Sequence, residues 1–362
     1  MNYYEVLDIP RNAVRDQIRA AYRIQVQLFH PDRLVQAGLT LRAYGEQRLK
    51  LINEAYAVLN DPVRKAKYDV ALRASEGLDG PQSTPPSAAA AARKPPAPAP
   101  PSGHQRKSSL RVLTLAAGVT LPFVRVPAGE FLMGSDPAKD PEARDDEVPQ
   151  HRVGLSEFYI GQTPVTNAQY AVFVRAANYP PPRRWKNSFV PAGKDFHPVV
   201  AVSWEDAAAF AQWLSRVTHH TCRLPTEAEW EKAARGADGR LYPWGNYWEA
   251  GKLNSYEAGP DHTTAVGQYS PQGDSPYGAM DMSGNVQEWC LDWYNAAEYQ
   301  RRGKVTHQPH GPRTGITRVI RGGSFESYGE AVRCACRNDS HPGRHVYGVG
   351  FRLVIASPRP PF

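Results

Sequence analysis

Cysteine is scarce, four residues in 362, and no two of them form a C-x-x-C pair, which argues against a zinc ribbon. Cys334 and Cys336 stand two apart, poorly placed to bridge one another in a strand, so free thiols are expected rather than a disulfide framework. No apolar run approaches the length that crosses a bilayer. The start, MNYYEVLDIP, lacks the basic and apolar regions of a secretion signal, so no membrane partner is expected and a cytoplasmic location is. A formal net charge of +7 leaves room for an acidic partner, but no Lys/Arg block interleaved with aromatics appears, which weighs against nucleic acid. What is present is length, and a 41% hydrophobic fraction sufficient for a sizeable core; two domains are the default.

In the first seventy residues Val14, Ile18, Tyr22, Val26 and Phe29 recur at helical spacing after Pro10, with Asn12 as a possible cap. Arg15, Arg19 and Arg23 share another face. A second helix is expected over about 41–59, ending at Asn60-Asp61-Pro62, and a short third over 63–68. His30-Pro31-Asp32 lies between the two long helices. With YYEVLDIP, FHPDR, INEAYAVLNDP and RKAKYD in this order, residues 1–74 resemble a DnaJ-type J-domain. The resemblance implies an all-α unit in which His30, Pro31 and Asp32 engage a DnaK-type chaperone and stimulate its ATP hydrolysis. Arg15, Arg19 and Arg23 would dock on acidic surface in a salt-sensitive contact.

Residues 75–111 read STPPSAAAAARKPPAPAPPSGHQRKSS at their centre. Branched and aromatic side chains nearly vanish there, so nothing offsets the entropy of ordering, and a semi-extended Pro/Ala linker is expected.

From 112 to 357 short alternating stretches are separated by Gly, Pro and Asn, with helices embedded. FVRVPAGEFLMGS predicts two strands around a Pro-Ala-Gly turn, and HRVGLSEFYIGQTPVT strands running into a helix capped at Thr166. A second helix begins at Ser203, three residues before Asp206, and a third runs from Pro225-Thr226 to Gly236. The remainder is loop-rich and aromatic. PAGEFLMGS, DEVPQHRV, CRLPTEAEWEKAARG, YPWGN, YGAMDMSGNVQEW, RVIRGGSF and VGFRLV, in order, resemble the formylglycine-generating enzyme, or sulfatase-modifying factor, family. That resemblance implies an α+β domain with a variant of the C-type lectin fold, beside the all-α J-domain.

Enzymes of that family hold copper on a cysteine pair after GGS and oxidise a substrate cysteine. Here Ser327 stands at the first of those positions, and the shortened stretch from Tyr328 to Val332 has no cysteine either. Soft thiolates are what copper(I) needs, so copper is not expected and the chain reads as no enzyme; a copper-dependent oxidase is the alternative. Structural calcium is expected instead. The resemblance implies one site from Asp281, the carbonyls of Gly284 and Val286, and Glu288. It implies a second from Asn254, the carbonyl of Ser255, and Asp261.

The tail from Arg321 to Arg352 alternates rigid-looking pieces, RGGSF, the Arg333 and Arg337 pair and VGFR, with pieces that look free to change. Phe325 and Phe351 are expected as buried anchors. This spacing resembles the variable proteins of diversity-generating retroelements, which share the lectin fold and display a ligand-binding face. The resemblance implies a face made of Glu326, Ser327, Tyr328, Glu330, Cys334, Cys336, Asn338, Asp339, Ser340, His341, Gly343, His345, Tyr347 and Gly348, capturing a protein or other ligand. A co-chaperone that recruits unfolded clients through the same domain is a further alternative.

Overall fold

The first helix, α1 (Tyr3–Leu7), is opened by a reciprocal cap in which Asn2 and Glu5 each accept the other's backbone N–H. It belongs to the first of two units into which the chain divides, Met1–Ser102 and Gly103–Phe362. The structure is a computed structural model and describes residues 2–13, 17–18, 21–22, 25, 39–75, 110–186, 189–303 and 305–356. His30, Pro31, Asp32, Arg15, Arg19 and Arg23, and all but the ends of the expected linker, lie outside the described residues.

In the first unit α2 (Leu39–Leu59) and α3 (Pro62–Ser75) follow. The third helix is longer than expected. Asp61 caps its N-terminus through the Arg64 N–H, and past Tyr68 the Lys65–Asp69 pair and the Tyr4 hydroxyl, which donates to Asp69, support further turns. Tyr4, Val6, Leu7, Ile18, Tyr22, Ile52, Ala55 and Leu59 form the buried apolar centre, with the Tyr22 and Tyr56 rings stacked at 4.0 Å.

The second unit is built on three sheets. The largest runs β1 (Arg111–Ala116), β2 (Val119–Val126), β5 (Phe158–Gly161), β12 (Val354–Ala356), β6 (Cys222–Arg223). A second orders β10 (Arg337–Ser340), β9 (Arg318–Arg321), β7 (Gln287–Trp293) and β11 (Val349–Gly350), and the third β3 (Gly129–Met133), β4 (His151–Leu155) and β8 (Val305–His307). The two strands expected around Pro-Ala-Gly are both present but do not pair: β2 joins the large sheet and β3 the small one. Helices α4 (Asn167–Ala176), α5 (Trp204–Thr218) and α6 (Glu227–Arg235) start at Thr166, Ser203 and Thr226, each in a capping box, and α6 stops at Gly236. A short helix, α7 (Glu298–Arg301), follows β7.

One core gathers Phe123, Tyr170, Phe173, Phe210, Trp213, Leu214, Trp289 and Phe351; the other gathers Phe131, Ile160, Trp230, Met282, Tyr299 and Val354. Both expected anchors are buried, Phe325 at 2% and Phe351 at 0% exposure. No helix among the described residues is long and apolar enough to cross a membrane.

Candidate ligand-binding face

Four arginines from the tail are sunk into the second unit, and each finds carboxylates supplied from upstream. Arg321 pairs with Glu227 and Glu231 of α6, and Arg337 takes Glu227 in a two-pronged contact of 2.7 and 3.0 Å. Arg333 joins Asp140 at 2.6 Å and Glu147 at 2.7 Å. Arg352 grips Glu288 at 2.6 and 2.7 Å while also donating to the carbonyls of Gly161 and Met280. Burial alone would raise the Glu227 carboxyl, but the Arg337 and Arg321 guanidiniums beside it hold it down at about 2. Forked guanidinium–carboxylate pairs of this kind fix geometry because both partners are planar.

Between these fixed points the chain surfaces. Glu326, Asn338, His341 and Gly343 are exposed, and Ser327, Tyr328, Glu330, Asp339, His345 and Tyr347 are half-buried. Cys334, Cys336, Ser340 and Gly348, expected on the same face, are instead buried, which corrects that expectation. Cys334 and Cys336 turn inward because they flank Ala335 between Arg333 and Arg337, whose ion pairs pull the whole stretch into the core. Burial pushes the Cys334 thiol up to about 12 and raises Cys336 as well, so neither carries the thiolate that redox or soft-metal chemistry requires. Cys222 and Cys290 are free and buried too. Ser340 closes strand β10 opposite Arg318. At Gly348 a Cβ would meet the Glu326 carboxylate and the Ser324 hydroxyl at 3.0 and 3.1 Å.

Side chains from elsewhere complete the face. Arg184 lies 3.8 Å over the Tyr347 ring, which packs edge-on against Phe325. His345 reaches Asp206, which also accepts from the Tyr179 hydroxyl. At the other end the Tyr256 ring lies 4.8 Å from Tyr328, and the Tyr256 N–H donates to the Ser327 carbonyl. Tyr247 and Trp248 are exposed nearby, at 81% and 36%. Sequence reasoning missed Arg184, Tyr247, Trp248 and Tyr256; the signal available was the aromatic richness of the loops after α6.

Of the expected calcium ligands, Asn254 from one site meets Gly284 and, through Asn285, Asp281 from the other. Asn254 forms an isolated bridge with Gly284. Asn285 accepts from the Asn254 amide, and its own amide reaches Asp281. Glu288 does not fit as a metal ligand, because Arg352 and the Trp230 indole N–H already occupy its carboxylate. Asp261 is exposed, and the Ser255 carbonyl closes a turn by accepting from Gly259. Gly284 and Val286 supply backbone beside Asn285, and the Val286 N–H turns back on the Gly284 carbonyl. Two atoms do fit a hard cation: the Asn254 Oδ1 and Thr264 Oγ1 oxygens are buried without a hydrogen-bond partner. Asp281 is pushed up to about 6 by burial, against the pull of the Gly267 N–H, so a positive charge beside it would be favoured.

The geometry agrees with what known proteins share with this one. Residues 2–69 match the DnaJ domain, and residues 117–357 match the sulfatase-modifying factor enzyme 1-like domain. The formylglycine-generating enzyme of Streptomyces coelicolor is 35% identical over 288 residues, covering 64% of this chain and 88% of that enzyme. Serine/threonine-protein kinase pkn1 of Chlamydia pneumoniae is 37% identical over 248 residues, 64% of this chain, yet the chain spans only 37% of the kinase. The inactive C-alpha-formylglycine-generating enzyme 2 of Bos taurus is 30% identical over 308 residues, 69% of this chain and 93% of its own. Among solved structures, variable protein 1 of Treponema denticola has the same fold, with a TM-score of 0.58 at 24% identity over 68% of this chain and 99% of its own. The chain therefore belongs to the sulfatase-modifying factor family, has its C-type-lectin-like fold, and carries a DnaJ domain ahead of it.

Proposed function

We propose that this is a non-catalytic, cytoplasmic ligand-binding protein. Its tail face captures a protein or other ligand, and its J-domain brings a DnaK-type chaperone to what is captured. The observation that carries this reading is the state of sulfur. All four cysteines are buried, and the half-buried Ser327 holds the position where the enzymes of the family use a thiol. A surface that offers aromatic rings, carboxylates and imidazoles but no thiolate can grip a partner and cannot pass electrons to copper. The likeness to formylglycine-generating enzymes keeps a copper-dependent oxidase as the alternative. The two readings separate on purified protein given copper(I), dioxygen as oxidant, a thiol reductant and a peptide cysteine: binding protein predicts no aldehyde, and aldehyde formation overturns it.

The alternation of buried arginines with exposed pieces also suits a segment diversified by a retroelement. A reverse transcriptase gene beside the coding sequence, with a near-copy of its 3′ end differing at adenines, supports that reading; a neighbourhood without either leaves a fixed binding surface. A binding preference that tracks exposed hydrophobicity in unfolded proteins would favour general client recruitment instead.

Calcium is held, in this reading, at Asn254 and Asp281 and not at Glu288. Calcium at a hundredfold excess over its Kd then stabilises the protein by about 2.7 kcal/mol. A thermal melt with calcium and with EDTA reads this, and Asn254→Ala should abolish the difference. Equal melting temperatures in both buffers would remove calcium from the account.

A further inference from the structure

One end of the tail face has a composition unlike the rest of the molecule. In a chain of net charge +7, residues 241–258 and 326–332 contain Glu249, Glu257, Glu326 and Glu330 against the single base Lys252. Lys252 is already paired with Glu249 at 2.8 Å. Interleaved with these acids are the exposed rings of Tyr247, Trp248 and Tyr256 and the half-buried Tyr328.

The backbone locks this arrangement. The Gly329 N–H donates to the Glu257 carboxylate at 3.0 Å, and the Gly329 carbonyl accepts from the Tyr242 hydroxyl at 3.1 Å. Trp248 packs on the same glycine, so closely that a Cβ there would lie 2.9 Å from its ring. The Tyr256 backbone ties to Ser327, and its ring meets Tyr328. Two loops far apart in sequence thus hold aromatic faces and the Glu257 and Glu330 carboxylates side by side, while Arg184, the cation that acts on Glu326, lies over the Tyr347 ring. Glu257 and Glu330 are near enough that the second charge adds to the burial that raises the first.

Aromatic faces attract cations through their negative quadrupole, and neighbouring carboxylates strengthen the attraction and repel anions. We infer that this end of the face is a cation-recognising subsite, and that its occupant is a lysine or arginine side chain presented by a polypeptide. The long aliphatic stem of such a side chain covers the rings while its charged head reaches the carboxylates. This inference rests on the binding-protein reading and gives its ligand a chemistry.

The test uses the full chain and labelled Gly/Ser peptides carrying a central run of lysine, norleucine or glutamate, with binding followed by fluorescence anisotropy. Lysine peptides should bind best, and raising the salt should weaken them. Trp248→Ala and Glu330→Gln should each lower affinity by about tenfold. Glu130→Gln, in the exposed pair with Arg152, should change nothing. An unchanged melting temperature of the second unit shows that the variants are folded. Norleucine binding as tight as lysine, unchanged affinity in Trp248→Ala, or no binding of any peptide in the set would each overturn the subsite. None of these outcomes touches the thiol argument, which stands or falls on aldehyde formation.

Discussion

Arg333 shows how much a single side chain can carry in this molecule. Its guanidinium is shared by Asp140 and Glu147, all of them at or below 2% exposure. Arg333→Met keeps most of the volume but leaves two buried carboxylates without their cation, a loss of about 3–5 kcal/mol. Urea unfolding followed by circular dichroism measures it; a change below about 1 kcal/mol would show that water reaches those acids. Asp292 makes the opposite case. It accepts the backbone N–H groups of Glu227 and Gly311, yet burial and the nearby Glu227 charge lift its pKa from 3.8 to about 6. The folded protein therefore holds this proton longer than the unfolded chain does. Its contribution is most favourable below pH 4 and declines by about 3 kcal/mol as pH rises to 6. Asp292→Asn should lack that decline, which unfolding midpoints across the same pH range will reveal.

At the level of elements, helix boundaries were legible because capping chemistry is local. Thr166, Ser203, Thr226 and Gly236 announce their roles within four residues of chain, and each one performs it. The alternation within the tail was legible for the same reason, since RGGSF, R-C-A-C-R and VGFR stand out as fixed pieces. What could not be read was where those arginines go. Glu147, Glu227 and Glu288 lie far upstream, and nothing local marks Glu288 as the partner of Arg352 rather than a metal ligand. The inward turn of Cys334 and Cys336 follows from those distant pairs, so it was hidden too. An expectation belongs to the segment as a whole: with rigidity supplied by the arginines, exposed positions between them are free of structural duty. Simultaneous Glu326→Ala, Asn338→Ala and His341→Ala should move the unfolding free energy by less than about 1 kcal/mol. A larger loss in chemical denaturation would mean that the face helps hold the fold.

For the molecule as a whole, the proposed function divides the labour of the two units between a chaperone partner and a captured ligand. His30→Gln should reduce ATPase stimulation of a DnaK-type chaperone to the unstimulated rate while leaving peptide binding by the second unit intact. A steady-state phosphate-release assay reads the first and anisotropy the second. Stimulation that survives the substitution would separate the J-domain from this role.

Strand β12 bears on the order of events during synthesis. It lies between β5 and β6, and β6 has no other neighbour in that sheet. The interior of the largest sheet is thus filled by residues made long after β5 and β6, and β5 keeps an open hydrogen-bonding edge until they arrive. The J-domain has been made long before then. On the proposed function, a nascent chain of this design carries its own means of summoning a chaperone throughout the interval in which its unfinished sheet is most exposed to mispairing.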